Sequence, residues 1–403
     1  MRGKRISIAA ALIAAATAQA QVSDGVVKIG VLNDMSSLYA EGAGQGSVVA
    51  ARLAIEDFRS SAAAKGLKVE LVSADNQNKA DLGSSIARQW FDADGVDAVL
   101  GTGNSAVGLA VNELAKQKGK AFLATAVATS DLTGKACSPN TVHWAHDTWM
   151  LSNSTARAVV QTGGDTWFFL TADYSFGHAL ERDASAVVKK TGGTVVGNVR
   201  HPLNTADFSS FLLQAVGSKA KIIGLANAGN DTITAIKQGT EFGVQAAGQQ
   251  FAGLLVFITD VHALGLRQAQ GLLLTETFYW DANEQTRAFA KRYGAAYGGR
   301  FPNMIHAASY SATLHYLKAI AAAGTDDGTK VVAKMKEMPV DDPLHGKGRV
   351  RADGRVVTPA YLFEVKKPEE SRYAGDYYKL RATVPADEAF RPESEGGCPL
   401  VKN

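Results

Sequence analysis

Two of the 403 residues are cysteine and ten are proline, and no segment after the first twenty residues reaches the ~18 uninterrupted apolar residues of a membrane-spanning helix. Two cysteines exclude a disulfide-dense scaffold and cannot by themselves build a zinc site. No G-x-x-x-x-G-K-[ST] run is present, which excludes phosphate cradling by a P-loop, and no G-x-S-x-G, which excludes a nucleophile elbow. Excess charge is missing too. The formal +3 comes from Arg2, Lys4 and Arg5, and without residues 1–20 the chain holds 39 basic against 39 acidic residues. Such a balance gives no handle for nucleic acid or an anionic membrane. What is there is an ordinary globular composition, 46% hydrophobic and 20% charged, of a length that suits two or three domains.

Residues 1–5 form a basic start, 6–17 an apolar stretch, and Ala18-Gln19-Ala20 a small-x-small site, the three parts of a cleaved export signal. The apolar stretch is too short for the ~20 residues a bilayer core requires. Cys137 and Cys398 are therefore expected in an oxidising compartment, where a pair is more often bridged than free. A bridge would close a very long loop and fasten the tail to the body, for which loop entropy gives an upper figure of ~5 kcal/mol. Two free thiols are the alternative.

Residues 26–32 (VVKIGVL) read as a strand buried on both faces. Val48, Ala51, Ile55 and Phe58 then recur at helical spacing, with Arg52, Glu56 and Arg59 on the other side. The alternation continues with strands at 67–73, 96–100 and 121–126 and helices at 82–91 and 107–116. A second series begins after Asp147: helix 150–160, strand 167–171, a helix through Leu180, Ala184 and Val187, then strands at 194–199, 222–226 and 254–258 separated by helices near 208–215 and 233–242. A strand at 272–275 closes that series. Helices at 285–297, 305–323 and 329–336, a hairpin turning at Asp353-Gly354, a strand at 361–365 and a polar tail complete the chain. Strands alternating with helices imply right-handed βαβ units, so the fold class is α/β with two Rossmann-like lobes of parallel strands. Open parallel sheets bind ligands beyond the carboxyl ends of their strands, and two such sheets facing each other make one cleft.

The loops at those ends carry the chemistry. Gly101-Thr-Gly-Asn-Ser-Ala106 matches G-x-G-x-x-[GA] only formally: it follows the third strand, and no acid stands about twenty residues on to hold a ribose. It suits anion capture instead, with Asn104 and Ser105 at the start of a helix whose first N–H groups point outward. A helix cap is the simpler role for either residue, and the two roles are compatible. Beyond the next strand, 126–133 (AVATSDLT) is a second small, hydroxyl-rich turn.

The ordered series GTGNSAVGLAV (101–111), ATSDLT (128–133), TADYSFG (171–177) and NAGND (227–231) resembles the periplasmic leucine/isoleucine/valine-binding proteins, the type I solute-binding subunits of ABC importers. The resemblance runs from about residue 26 to 365. It implies a type I periplasmic binding protein fold with a multi-strand hinge, a periplasmic location, no cofactor, and membrane permease subunits as partners. By the same resemblance, Ser105, Ala126, Ala128 and Thr129 hold a ligand carboxylate, Tyr174 covers it from the second lobe with Asn227, and Asp260 in Ile-Thr-Asp-Val meets an amino group. The turn Ala124-Thr-Ala-Val127 departs from the family in lacking Pro and Gly, and Asp260 is only an approximate counterpart of the family's acid. If Asp260 points elsewhere, a carboxylate without an amine, such as an aromatic acid, becomes the alternative. Tyr39, Trp144, Tyr174, Phe278, Tyr279 and Trp280 supply aromatic surface near the presumed cleft, though each reads first as a core residue and only second as ligand wall.

The expected organisation is a leader at 1–20, lobe I from 21–147 with 282–345, lobe II from 148–281 with 346–367, and a tail at 368–403. The chain crosses between lobes near Asp147, Asp281 and His345. His143 and His146 invite a metal, but in an extended stretch residues three apart face opposite ways, so no metal site is expected. His178, His201, His262, His306, His315 and His345 are scattered and read as ordinary core or surface residues. The function expected is a closing clamp on a small carboxylate, a branched-chain or related amino acid. A ligand-sensing receptor subunit on the same fold and, further off, a periplasmic enzyme are the rival readings.

Overall fold

A computed structural model describes residues 22–402; the expected leader lies outside the described residues. The first lobe opens with β1 (Val26–Asn33), α1 (Ala40–Arg59), β2 (Lys68–Asp75), α2 (Ala80–Asp92), β3 (Ala98–Gly101), α3 (Ser105–Lys118), β4 (Ala121–Ala124) and β5 (Thr141–His143). Its five strands are all parallel, in the order β2-β1-β3-β4-β5. The apolar stripe of α1 is buried at Val48, Ala51, Ile55 and Phe58, as its spacing predicts.

The chain then runs through α4 (Thr148–Leu151), a π-helical turn at Ser152–Ala156 and α5 (Arg157–Gln161) into the second lobe. There β6 (Thr166–Ala172), α6 (Ser175–Lys190), β7 (Thr194–His201), α7 (Ser209–Gly217), β8 (Ile222–Ala226), α8 (Asn230–Glu241) and β9 (Gln250–Gly253) make a four-stranded parallel sheet, ordered β7-β6-β8-β9. The order of each sheet places its first strand inside, with crossovers to both sides, so the loops at the carboxyl edge diverge and leave a crevice.

Next come α9 (Ile258–Leu264), α10 (Leu266–Ala269) and β10 (Leu273–Glu276), followed by α11 (Glu284–Ala296), α12 (Met304–Ala323) and α13 (Gly328–Glu337), which return to the first lobe. There α12 packs along α1 with almost every side chain buried. The strands β11 (Val340–Asp342), β12 (Gly346–Val350) and β13 (Val356–Val357) form a small antiparallel sheet, and Gly354 at φ +87° makes the expected turn between the last two. Finally β14 (Ala360–Val365), β15 (Tyr378–Val384) and α14 (Ala386–Ala389) close the chain.

Three expectations fail for identifiable reasons. Residues 254–258 are not a strand: β9 ends at Gly253, and Leu254 to Phe257 leave the sheet as a buried loop that enters α9. A short apolar run signals burial, and periodicity alone does not separate a buried strand from a buried loop. The strand near 272–275 does not close the parallel sheet; β10 pairs antiparallel with β14 in a separate three-stranded sheet. The polar tail holds that sheet's edge strand, β15, whose Lys379 and Arg381 face outward and pair with Glu364, the charged dress of an edge.

After β15 the chain crosses back to the first lobe. Asn153 donates to the Glu388 carbonyl, Arg391 donates to the Ser130 carbonyl at 2.9 Å, and Cys398 is joined to Cys137 by a disulfide spanning 261 positions, with Cα atoms 5.6 Å apart.

Candidate functional site

The loops leaving β3, β4, β6, β8 and β9 and the segment before α1 enclose a cavity of about 230 Å³ between the lobes. Its walls are mostly apolar: Ala43, Ala126, Ala128 and Ile305 on one side, Phe176, Leu255 and Phe257 on the other. Among the described residues no lysine or arginine lines it. In this structure the lobes meet across it. The Tyr39 and Tyr174 hydroxyls are 2.7 Å apart, and burial raises both phenols far above their ordinary range, so each stays protonated. Gly229, at φ +60°, lies against the Leu38 carbonyl; a Cβ there would sit 2.7 Å from that oxygen, so only glycine permits this approach.

Of the nine residues singled out by sequence, Tyr39, Ser105, Ala126, Ala128, Tyr174 and Asp260 line this one cavity. Ser105 opens α3, and its Oγ accepts the Thr129 N–H at 3.2 Å, which leaves the hydroxyl hydrogen free to donate. The other three are placed differently. Asn104 caps α3, accepting from the N–H groups of Ala106 (2.7 Å) and Val107 (3.3 Å) while its amide donates to Asn78. The Thr129 hydroxyl accepts from the Asp131 N–H at 3.3 Å. Asn227 is held within lobe II, its amide on His201 Nε2 at 3.0 Å and its carbonyl accepting from Thr232 at 2.7 Å.

Asp260 sits in the first turn of α9 and reaches back to accept the Phe257 N–H at 2.9 Å. It is 4% exposed and pairs with no cation, and burial pushes its carboxyl up to about 7. Behind it lies Glu276, which accepts from the Tyr378 hydroxyl at 3.0 Å and is pushed up to about 8 by burial and by Asp260. Two buried acids without a paired cation are both raised toward neutral pH, and an incoming positive charge would stabilise the ionised form of the one it meets.

The aromatic expectation resolves unevenly. Only Tyr39 and Tyr174 of the six face the cavity; Trp144 packs on His315, Phe278 on Phe289, and Tyr279 and Trp280 both donate to the Gly375 carbonyl at 3.0 Å. His143 is committed to the Val127 carbonyl at 2.6 Å, and no cluster of three or more potential metal ligands occurs among the described residues. Sequence reasoning missed Phe257, taken for strand, and His146, which lines the cavity and was weighed only as a metal ligand. Nothing in local periodicity marks either one.

A family model described as periplasmic binding protein matches residues 26–371. A periplasmic binding protein structure from Burkholderia mallei is similar with a TM-score of 0.91 and 48% identity, covering 94% of this chain and 100% of that one. A branched chain amino acid ABC transporter periplasmic ligand-binding protein from Burkholderia xenovorans is similar with a TM-score of 0.82 and 41% identity over 93% and 99% of the two chains. A Leu/Ile/Val-binding protein homolog 6 from Brucella melitensis is 27% identical over 383 residues, 92% of this chain and 95% of that protein. Among the described residues no helix is long and apolar enough to cross a membrane.

Proposed function

The chain belongs to the periplasmic binding protein family, and from that premise we propose that it binds a small carboxylate-bearing solute, a branched-chain or related amino acid, and presents it to the permease subunits of an ABC importer. The leader at 1–20 then delivers the chain to the periplasm and is removed. Residues 21–147 with 282–345 act as one lobe and 148–281 with 346–367 as the other, closing like jaws. The carrying observation is that Ser105, with a hydroxyl hydrogen to give, and Asp260, a buried acid without a cation, line the same cavity.

In this reading Ser105 and the backbone of Ala126 and Ala128 take the carboxylate, with Thr129 orienting the Ser105 hydroxyl and Asn104 holding the helix start in place. Asp260 takes the ammonium, the apolar walls take the side chain, and Tyr39 and Tyr174 latch the jaws, with Asn227 stiffening the second-lobe loop. Only contacts made in the closed form shift the open–closed equilibrium, and the tyrosine pair and Asp260 are such contacts. A zwitterion suits a lining that holds acids and no lysine or arginine. An aromatic acid suits it only with Asp260 protonated, and that is the second reading.

A thermal-shift panel tests the proposal. Branched-chain amino acids, other amino acids, benzoate-like acids, amides and sugars are each added to the protein. A ligand at 100 times its dissociation constant stabilises by ~2.7 kcal/mol, a resolvable shift. Amino acids are the expected hits. Benzoates alone as hits would favour the second reading, and hits confined to sugars or amides would refute both.

A further inference from the structure

His146 is 1% exposed, lines the cavity, and neither of its ring nitrogens has a hydrogen-bond partner among the described residues. A buried imidazole in that condition is unusual, because polar side-chain atoms out of reach of water are nearly always paired. His143, three residues earlier, has at least its Nε2 on a carbonyl. The backbone that carries His146 is held in place as well. The preceding residue, Ala145, is held in the left-handed region at φ +58°. The fully buried guanidinium of Arg355 donates to the Ala145 carbonyl and reaches the His146 carbonyl at 3.5 Å and Asp147 at 3.4 Å, with Phe390 packed 4.3 Å beneath it. The backbone on both sides of the ring is thereby clamped, and the ring is packed edge-on to Phe257 of the other lobe at 5.8 Å.

The ring is also neutral. Burial, helped by His143 and Arg355, pushes it down to about 3. A neutral imidazole presents one donor and one acceptor. The two ring nitrogens point away from each other, so one solute group reaches one of them: a carboxylate suits only the tautomer that turns its N–H to the cavity, an ammonium only the one that turns its lone pair there, and a hydrocarbon serves neither. A hydroxyl or a carboxamide both donates and accepts. We propose that His146 is a specificity-determining residue of the cavity, pairing with a hydroxyl or carboxamide on the solute, so that a small carboxylate carrying such a group binds in preference to its hydrocarbon isostere. The inference rests on the reading of this cavity as the solute site and narrows the solute class within it.

The test is isothermal titration of the full chain with three near-isosteric pairs: threonine and valine, asparagine and leucine, 4-hydroxybenzoate and benzoate. One ordinary hydrogen bond is worth about tenfold in affinity. The polar member of at least one pair is therefore expected to bind about tenfold or more tightly. His146→Phe keeps the ring and removes both nitrogens, and is expected to erase that preference; His146→Leu is the second variant should the first fail to fold. A wild-type preference below about tenfold in every pair overturns the inference. So does a preference that survives in the folded variant, and so does a uniform loss across each pair, which would place the carboxylate on His146. The proposed function survives all three of those results. Absence of binding by all six compounds would instead overturn the solute-site reading, and this inference with it.

Discussion

Lowering the pH from 7 to 5 is expected to weaken amino-acid binding through Asp260. Burial holds this carboxyl at about 7, and no lysine or arginine lines the cavity to ionise it. The acids coupled to it are Glu276 on β10 and Tyr378 on β15, both kept protonated at neutral pH, so neither supplies a positive charge. An ammonium ligand requires the ionised form. The ionised fraction is about one half at pH 7 and about one hundredth at pH 5, so affinity is expected to fall about 50-fold over that interval, or ~2.3 kcal/mol. Binding at pH 7 is then expected to release about half a proton. Calorimetric titration in two buffers of unlike ionisation enthalpy measures that release, and repetition at pH 5, 6 and 7 measures the slope. Asp260→Asn is expected to bind more weakly and with a flat pH profile. The unliganded protein carries the opposite sign. A folded value raised above the ordinary 3.8 gives stability that is present below about pH 4 and lost as pH rises through 7. The ligand's ammonium recovers that loss and the Asn variant never incurs it. An amino acid that binds with constant affinity from pH 5 to 7, or that takes up protons, would refute the assignment of Asp260 as the amine partner.

Asn104→Ala removes the α3 cap and is expected to lower stability by about 1 kcal/mol in a denaturant titration, with a smaller effect on affinity than Ser105→Ala; an unchanged midpoint would contradict the capping role. Tyr174→Phe breaks the hydroxyl pair between the lobes and is expected to weaken solute binding about tenfold while the unliganded melting temperature stays near wild type. Equal affinity in the two proteins would remove the latch from the mechanism. Replacing Cys137 and Cys398 together by alanine frees a loop of 261 residues, and thermal unfolding is expected to show a loss of up to ~5 kcal/mol. An unchanged transition would mean that the Arg391 and Asn153 contacts suffice to hold the tail.

Helices and parallel strands were legible because one face, or both, meets a core. The stripe of α1 and the unbroken burial of β4 and β8 follow from spacing and composition alone. The errors fall where apolarity and secondary structure part company. Residues 254–257 are as apolar as a strand because they floor the cavity and pack beneath α9, with the ladder already finished at Gly253. β15 looks like a tail because an edge strand is dressed in charge, and its pairing to β14 across a loop of more than ten residues leaves no local mark.

The site divides along the same line. Ser105, Ala126, Ala128 and Tyr174 stand at fixed offsets from the ends of recognisable strands, so topology brings them to the crevice whatever the details of packing. Whether a side chain then points at a ligand or at its own backbone is decided within a few ångströms. Asn104 and Ser105 are adjacent in sequence and equally polar, yet the first is spent on the free N–H groups of α3 and the second faces the cavity. His146 lies at the far extreme. Its backbone is held by Arg355, over two hundred positions away, which pairs with Asp147 and stacks on Phe390 in the returning tail. A residue held through two distant segments leaves no periodic trace. The same dependence makes the tail a support of the cavity: loosening the segment from 385 to 398 should disturb His146 through Phe390 and Arg355, and the Ser105–Thr129 contact through Arg391 on the Ser130 carbonyl.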